Sequence, residues 1–519
     1  MSLVRNVATV SGITLVSRIL GFARDMAIAV VFGAGVRADA FFVAFQFANL
    51  IRRLLTEGAL NAAVVPLYLR ARDHDGETAA GAYAGELIGT LAAALTGIAL
   101  LAALAMPLVV TVLAPGFMFG GPRMSIAVEL ARLMVPYLAL AGPLAVLIGV
   151  LNANHRFAVA AFAAAVFNAA MLAALGMVFL LPSGDHDVSG RIVAAGVAAA
   201  GVAQLILVGI AVWLGPKRVT PIRVSFGAPV RRFVALAVPG LVASGIPQIT
   251  MIAAVMVASA SPGAVSWLYY ANRLIELPLG IVGIAIGTVL VPAFTHALRS
   301  GNQTGRITAE SRGLELALGL ALPAAVALAV LASPIVAVLF ERGAFAPADT
   351  AATASALSAL ALGLPGHVLV KAFSPVFFAR EDTRTPMLAA LAGFAVALLG
   401  SLLLLPGLGH VGVAMAVAAS GWVSAGVLGA IIARRIGFSL DRDARRRLPC
   451  IAIAAIVMGV AIAALQMPLD PWLAGSSILA RLIGLGALIG AGLSVYGLLL
   501  HLMGVTRLRD LLTAVRRAA

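Results

Sequence analysis

Ser17-Arg18-Ile19-Leu20-Gly21-Phe22-Ala23-Arg24-Asp25 sets two arginines and an aspartate inside an apolar run that extends from about Val7 to Phe32. The next apolar run carries Asp39, Arg52, Arg53 and Glu57. An arginine in the middle of a membrane helix costs about 2.5–3.5 kcal/mol even on lenient insertion scales, so such residues face a wet cavity or a partner. The pattern predicts a cationic chamber inside the bilayer, built to receive an anion.

The rest of the chain fits that setting. Of 519 residues, 62% are hydrophobic and 11% charged, and the mean hydropathy is +1.07. Those values exclude an ordinary soluble domain. Apolar runs long enough to cross the hydrocarbon layer recur throughout, and unbroken runs favour helices over the alternating strands of a barrel. The expected fold is all-α and polytopic, with about 14 transmembrane helices between residues 8 and 505. The segment after Met1–Asn6 is too long and too charged for a cleaved signal peptide and reads as the first span. Cys450 is the single cysteine, so no internal disulfide is expected.

Charge placement predicts orientation. With the N-terminus in the cytoplasm, 24 of the 36 Lys and Arg fall in loops on the cytoplasmic side and 4 on the other, namely Arg37, Arg123, Arg191 and Arg342. This asymmetry obeys the positive-inside rule. It predicts a multi-pass membrane protein with both termini cytoplasmic. The net charge of +15 is then topology signal and attraction to anionic headgroups, so no nucleic-acid partner is expected.

Basic loops near 215–232 and 434–447 divide the spans into six, six and two. The expected organisation is an N-terminal six-helix lobe over 1–218, a second six-helix lobe over 219–440, and accessory helices 13 and 14 with a cytoplasmic tail over 441–519. Val65-Pro66 recurs as Val291-Pro292, and the loop after the fourth span recurs after the tenth, both at offsets near 226 residues. Six spans return the chain to its starting side, so the repeat is parallel, which suits an alternating-access transporter with a central cavity.

Helical phase sorts the intramembrane charges. Asp39, Gln46 and Arg53 lie within about 40° of one another, Glu57 follows one turn later, and Arg52 sits at the edge of that stripe. Arg18 and Asp25 share a face of the first helix, whereas Arg24 diverges by about 120°, so a bend near Gly21 is expected to bring all three inward. The second lobe adds Arg273 and Glu276, at a spacing that allows an internal ion pair, and Lys371. The set Arg18, Arg24, Arg52, Arg53, Arg273 and Lys371 outnumbers Asp25, Asp39, Glu57 and Glu276. Arginine's planar fork suits a two-point grip on phosphate oxygens. The plainer reading makes Arg53–Glu57 and Arg273–Glu276 structural pairs, with Arg132 and Arg481 snorkelling or pairing locally. The histidines show no metal-ligand spacing, and neither a nucleotide-cradling loop nor a nucleophile elbow is present. No metal, cofactor or enzymatic activity is expected.

Five stretches, Ser11–Asp25, Phe32–Pro66, Val265–Pro292, Leu339–Thr350 and Gly363–Pro386, resemble the MurJ (MviN-type) lipid II flippases of the multidrug/oligosaccharidyl-lipid/polysaccharide exporter superfamily. The resemblance implies two six-helix lobes around a cationic cavity, with the last two helices forming a groove for a polyprenyl tail. It implies a role in peptidoglycan biosynthesis, cell-wall biogenesis and cell shape. The substrate would be lipid II, the undecaprenyl-pyrophosphate-linked disaccharide-pentapeptide, moved from the cytoplasmic to the periplasmic leaflet of the bacterial inner membrane. It carries the family's cavity arginines onto Arg18, Arg24, Arg52/Arg53 and Arg273, its acid onto Asp39 and its lysine onto Lys371. Membrane lipids and cell-wall synthesis proteins are the other expected partners. Three positions depart from the family: Ala48 stands for a proline, Gln46 for a basic residue and Asn272 for an aspartate. The seventh and eleventh spans also lack the carboxylates of the sodium site found in some relatives. The alternatives are export of another polyprenyl-linked saccharide or of a small-molecule drug on the same plan.

Overall fold

Proline and glycine set the breaks in this chain. The computed structural model describes residues 3–56, 59–118, 120–180, 186–215, 219–286, 303–380, 382–437, 440–475 and 477–505. Among these residues every regular element is helical. The first are α1 (Leu3–Phe32), α2 (Val36–Thr56), α3 (Ala59–Leu104), α4 (Met106–Leu113), α5 (Pro122–Met134) and α6 (Pro136–Ala153). Then come α7 (Phe157–Leu180), α8 (His186–Trp213), α9 (Ala228–Ala258), α10 (Ala264–Ala285), α11 (Gln303–Val330) and α12 (Ala332–Phe340). The last are α13 (Pro347–Ala361), α14 (Leu364–Phe378), α15 (Arg384–Ile431), a π turn at Ile432–Ile436, α16 (Arg442–Ala474) and α17 (Ile478–Leu502).

Prolines open α4, α5, α6, α13 and α14 within their first two residues, where the missing N–H has no helical partner to lose. α3 and α15 each turn a corner at a glycine, Gly76 (φ 87) and Gly409 (φ 57). The all-helical membrane fold read from the sequence is present. Among the described residues eight helices are long and apolar enough to cross a bilayer, and nine if the bent pair α13–α14 counts as one span. Seventeen α-helices are present among the described residues, several of them short pieces on either side of a break.

The chain divides into two compact units, Met1–Ile252 with Arg342–Phe345, and Ala253–Glu341 with Ala346–Ala519. In the first unit α1 packs on α7, α7 on α8, α2 on α5 and α3 on α6. Most of α9 belongs here too: Val230, Phe233 and Ala237 enter the core formed by Tyr68, Leu87 and Leu144. The segment leading into α9 is strapped along α3. Glu86 accepts from Arg223, Thr90 Oγ1 donates to the Ser225 carbonyl at 3.0 Å, and the Ser225 N–H returns a bond of 3.0 Å. Gly85 and Gly89 make the approach possible, because a Cβ at either would meet the backbone of Pro221 or Arg223.

Arg342–Phe345 closes the unit at the end of α1. The Ala344 N–H donates to the Val30 carbonyl at 2.9 Å. Gly33 (φ +62) and Gly343 (φ +59) face the opposing backbones of Ala344 and Val30, where no side chain fits. In the second unit α10 packs on α13, α14 on α15, α11 on α16 and α16 on α17.

The internal repeat is written into the helix boundaries. The starts of α2, α4, α5, α6 and α7 at 36, 106, 122, 136 and 157 recur at 264, 332, 347, 364 and 384, offsets of 228, 226, 225, 228 and 227 residues. The break between α3 and α4 is copied bond for bond. Ala105 (φ −85, ψ 12) and Leu331 (φ −93, ψ 16) adopt the same backbone. At the first break Arg132 Nε donates to the Ala103 carbonyl at 3.0 Å; at the second, Ser358 Oγ donates to the Ala329 carbonyl at 3.0 Å. Donor and acceptor both sit 226 residues further on.

Candidate functional site

α1 runs unbroken from Leu3 to Phe32. The helix does not break at Gly21, and the two arginines of the opening motif part. Arg24 is buried and Arg18 is exposed. The phase difference along an uninterrupted helix is enough to explain this divergence.

Arg24 is held from three sides. Its Nε and Nη2 donate to Asp25 Oδ1 at 3.0 and 2.7 Å, and Nη1 donates to Asn168 Oδ1 at 3.0 Å. The guanidinium lies 5.1 Å from the centre of the Phe45 ring. Asn168 in turn donates Nδ2 to the Ser17 carbonyl at 2.9 Å, fastening α7 to α1. Arg24 is 6% exposed and Asp25 0%, so each charge depends on the other. Three of the five guanidinium N–H groups are engaged, which leaves two without a partner among the described residues.

Arg52 is held by the neighbouring position of α7. Its Nε and Nη2 donate to Asn49 Oδ1 at 3.1 and 2.9 Å, and its guanidinium lies 5.3 Å from the Phe167 ring centre. Phe167 is braced edge-on by Tyr137, whose hydroxyl donates to Gln204. Arg53 points elsewhere on α2 and donates Nη1 to Gln248 of α9 at 3.2 Å. Glu57, expected one turn beyond Arg53, lies outside the described residues.

Asp39 is wholly buried near the start of α2, where Arg123 of α5 approaches its Oδ2 to 3.8 Å. Arg123 also covers the Phe117 ring at 4.7 Å. The sequence reading placed Arg123 in a loop, and only the packing of α2 on α5 reveals it as a partner. Asp39 stands about 9 Å along the helix axis from Phe45, the residue that Arg24 covers.

In the second unit Arg273 Nη1 meets Glu276 Oε2 at 3.0 Å, the internal pair that the spacing allowed. Asn272 adds a longer contact of 3.5 Å to the other carboxylate oxygen. Lys371, on α14, reaches across to α10 and donates Nζ to the Leu279 carbonyl at 3.3 Å. Gly283 lets it in, since a Cβ there would lie 3.2 Å from Nζ. Arg273, Glu276 and the carbonyl that receives Lys371 thus follow one another along α10. Arg481 pairs locally: it donates to the Gly475 carbonyl at 2.7 Å and meets Glu341 at 3.2 Å. Among the described residues no group of three or more His, Cys, Asp or Glu is placed to hold a metal ion.

Sequence reasoning missed Asn168, Asn49, Phe45 and Phe167. Asn168 carried a signal, being the single amide in the apolar run Phe157–Leu180. The aromatic residues carried none, because a phenylalanine in a membrane helix is ordinary.

Fold and site together define a duplicated all-helical bundle of membrane-length helices with Arg24 and its carboxylate buried inside. The structure resembles a solved "Lipid II flippase MurJ, inward closed conformation" with a TM-score of 0.79, at 22% identity over 97% of this chain and 99% of that one. It also resembles an inward-facing MATE family multidrug transporter of the MOP superfamily with a TM-score of 0.67, at 15% identity over 86% and 98% of the two chains. The family model for the lipid II flippase MurJ matches residues 28–482. The probable lipid II flippase MurJ of Rhizobium meliloti is 40% identical over 100% of this chain and 97% of its own length. The lipid II flippase MurJ of Burkholderia cenocepacia is 34% identical over 80% and 81% of the two chains. This chain belongs to the MurJ lipid II flippase family, a family of membrane transporters rather than enzymes.

Proposed function

We propose that this protein flips lipid II from the cytoplasmic to the periplasmic leaflet of the inner membrane for peptidoglycan synthesis, by alternating access. Full-length similarity to lipid II flippases supports the substrate. The observation that carries the chemistry is Arg24: it is fixed by Asp25, Asn168 and Phe45, yet two of its N–H groups remain for an incoming oxygen. A preoriented guanidinium recognises phosphate in two-point geometry with little further ordering.

Arg18, Arg52, Arg53, Arg273 and Lys371 supply the remaining positive charge for the pyrophosphate and the sugar next to it. Asp25 and Glu276 hold Arg24 and Arg273 in place while the site is empty, Asp39 faces Arg123, and Glu57 belongs to the same binding set on this reading. The net-basic balance disfavours a cationic drug as substrate. Both termini face the cytoplasm on this reading, in keeping with the excess of Lys and Arg in that set of loops. Residues 1–218 and 219–440 form the two halves of the repeat, and 441–519 the accessory pair. Cell-wall synthesis enzymes are the protein partners that this role brings into proximity.

The test is depletion of the protein in cells, followed by measurement of which leaflet holds lipid II. Accumulation in the cytoplasmic leaflet is expected, relieved by the wild-type gene and not by Arg24→Ala or Arg273→Ala variants that insert normally. Unchanged outward flipping on depletion would overturn the assignment.

A further inference from the structure

A second polar site lies in the first unit, next to the Arg123–Asp39 pair at the starts of α5 and α2. The end of α1 and the N-terminal turns of α2, α5 and α8 meet around a cavity of about 200 Å³. The α1–α2, α4–α5 and α7–α8 connections all fall on the side of the bilayer opposite the basic loops, which puts the cavity near that membrane boundary. The floor is apolar, made by Phe32, Ile126 and Leu130. The lining also holds Arg37, Glu129 and Asp187, and Arg191 joins this charged rim from just outside the lining through its ion pair with Glu129. Arg37 Nε meets Asp187 Oδ1 at 3.3 Å, and Arg191 Nε meets Glu129 Oε1 at 2.6 Å.

All four charged side chains are between 45% and 60% exposed. Ion pairs of that kind contribute little to stability, so their partners can be exchanged for the charges of a ligand at small cost. At Gly190 a Cβ would make ordinary contact with Leu130 at 3.4 Å, so a methyl fits there while a larger side chain reaches into the cavity. Two arginines and two carboxylates cancel, leaving a site without net charge but with separated poles. Such a site selects a dipolar ligand over an anion.

We propose that this cavity binds a zwitterionic group made of a phosphate and a primary ammonium, the chemistry of phosphoethanolamine, with the phosphate on Arg37 and Arg191 and the ammonium on Glu129 and Asp187. The apolar floor receives the methylene carbons between the two charges. A phospholipid headgroup and a free soluble zwitterion share this chemistry. The site is separate from the cations assigned to lipid II and does not depend on that assignment.

The experiment is native mass spectrometry of the full-length protein in detergent. Phosphatidylethanolamine, phosphatidylcholine and phosphatidylglycerol of equal chain length are titrated separately, with soluble phosphoethanolamine as a further arm. Phosphatidylcholine keeps the charge but cannot donate N–H bonds, and phosphatidylglycerol lacks the ammonium. Retention of phosphatidylethanolamine is expected to exceed both by about tenfold, the worth of one lost charged hydrogen bond. The preference should vanish in Gly190→Leu, which fills the cavity, and in the Glu129→Gln/Asp187→Asn double variant, which keeps its shape. Binding of phosphoethanolamine with no preference among the lipids assigns the same site to a soluble zwitterion. Equal retention of the three lipids without phosphoethanolamine binding overturns the proposal. So does a lipid preference that survives the double variant. If Gly190→Leu does not fold, the double variant decides alone.

Discussion

Asn168 accepts a hydrogen bond from Arg24 at 3.0 Å while its own amide donates to the Ser17 carbonyl at 2.9 Å. One carboxamide therefore fixes the guanidinium and ties α7 to α1. The preceding residue, Phe167, backs Arg52. Replacing Asn168 with leucine should cost about 1.5–3 kcal/mol, the range for a hydrogen bond to a charged group. Flipping should fall as well, because Arg24 loses its orientation. Thermal stability in detergent and cellular complementation, measured on the same variant, check both halves; full activity would show that Asp25 alone positions Arg24.

Arg18 and Arg24 should behave differently despite sharing one motif. Arg24→Ala leaves Asp25 buried without its cation, a loss of about 3–5 kcal/mol. Arg18 is exposed and makes no ion pair with a described residue, so Arg18→Ala should leave the melting temperature nearly unchanged while abolishing transport. Equal destabilisation by the two changes would contradict this division.

At α10, Gly283 controls the position of Lys371. Gly283→Val should push Nζ off the Leu279 carbonyl. The freed amine should then react faster with acylating reagents, read by mass spectrometry of the labelled peptide. An unchanged labelling rate would mean that the amine does not depend on this contact.

The duplicated helix break offers a thermodynamic test. Pro107 has no N–H to give the Ala103 carbonyl, and Arg132 supplies the bond instead. Arg132→Leu should cost about 1–3 kcal/mol by stranding that carbonyl. In a Pro107→Ala background, where the backbone N–H returns, the same change should cost less. A double-mutant cycle measures the difference.

Outside the membrane, Asp382 begins α15 by accepting from the Thr385 hydroxyl at 2.6 Å and the Thr385 N–H at 3.0 Å. Those bonds, the hydroxyl's first, hold its carboxyl below the ordinary value of 3.8. A depressed carboxyl means that the unfolded chain binds the proton more readily, so stability rises with pH across this window. The contribution is complete above 3.8 and disappears as pH falls through the lowered value. Asp382→Asn should flatten the acid limb of the stability profile and leave the neutral region with a smaller, pH-independent loss.

Much of this was legible before any coordinates. Charges inside apolar runs pointed to Arg24 and Asp25 because the cost of burying them is large and local. Two short sequence matches gave the repeat at its true register, which the bonds of Arg132 and Ser358 reproduce. Pairings between distant helices were not legible. Nothing near Asp39 indicates Arg123, and nothing near Arg53 indicates Gln248, since helical phase orders residues on one helix and is silent about its neighbours. Arg18 and Arg24 share a motif but not a face of α1, and the packing of α1 on α7 uses only Arg24. Charge placed a division at 218/219, whereas the compact units part inside α9, because the apolar face carrying Val230 and Phe233 packs in the first core.

The tetrapeptide Arg342–Phe345 also gives the molecule a schedule. The first unit is otherwise complete at Ile252, yet the residues that close it over Val30 and Gly33 are made about 90 residues later, between 252 and 342. At about 5–20 residues per second, a ribosome needs roughly 5–18 s to deliver them. Throughout that interval the end of α1 waits in the membrane with the Val30 carbonyl not yet joined to Ala344. Insertion factors therefore meet the first unit before its closing segment has been made, and that segment arrives from the later half of the gene.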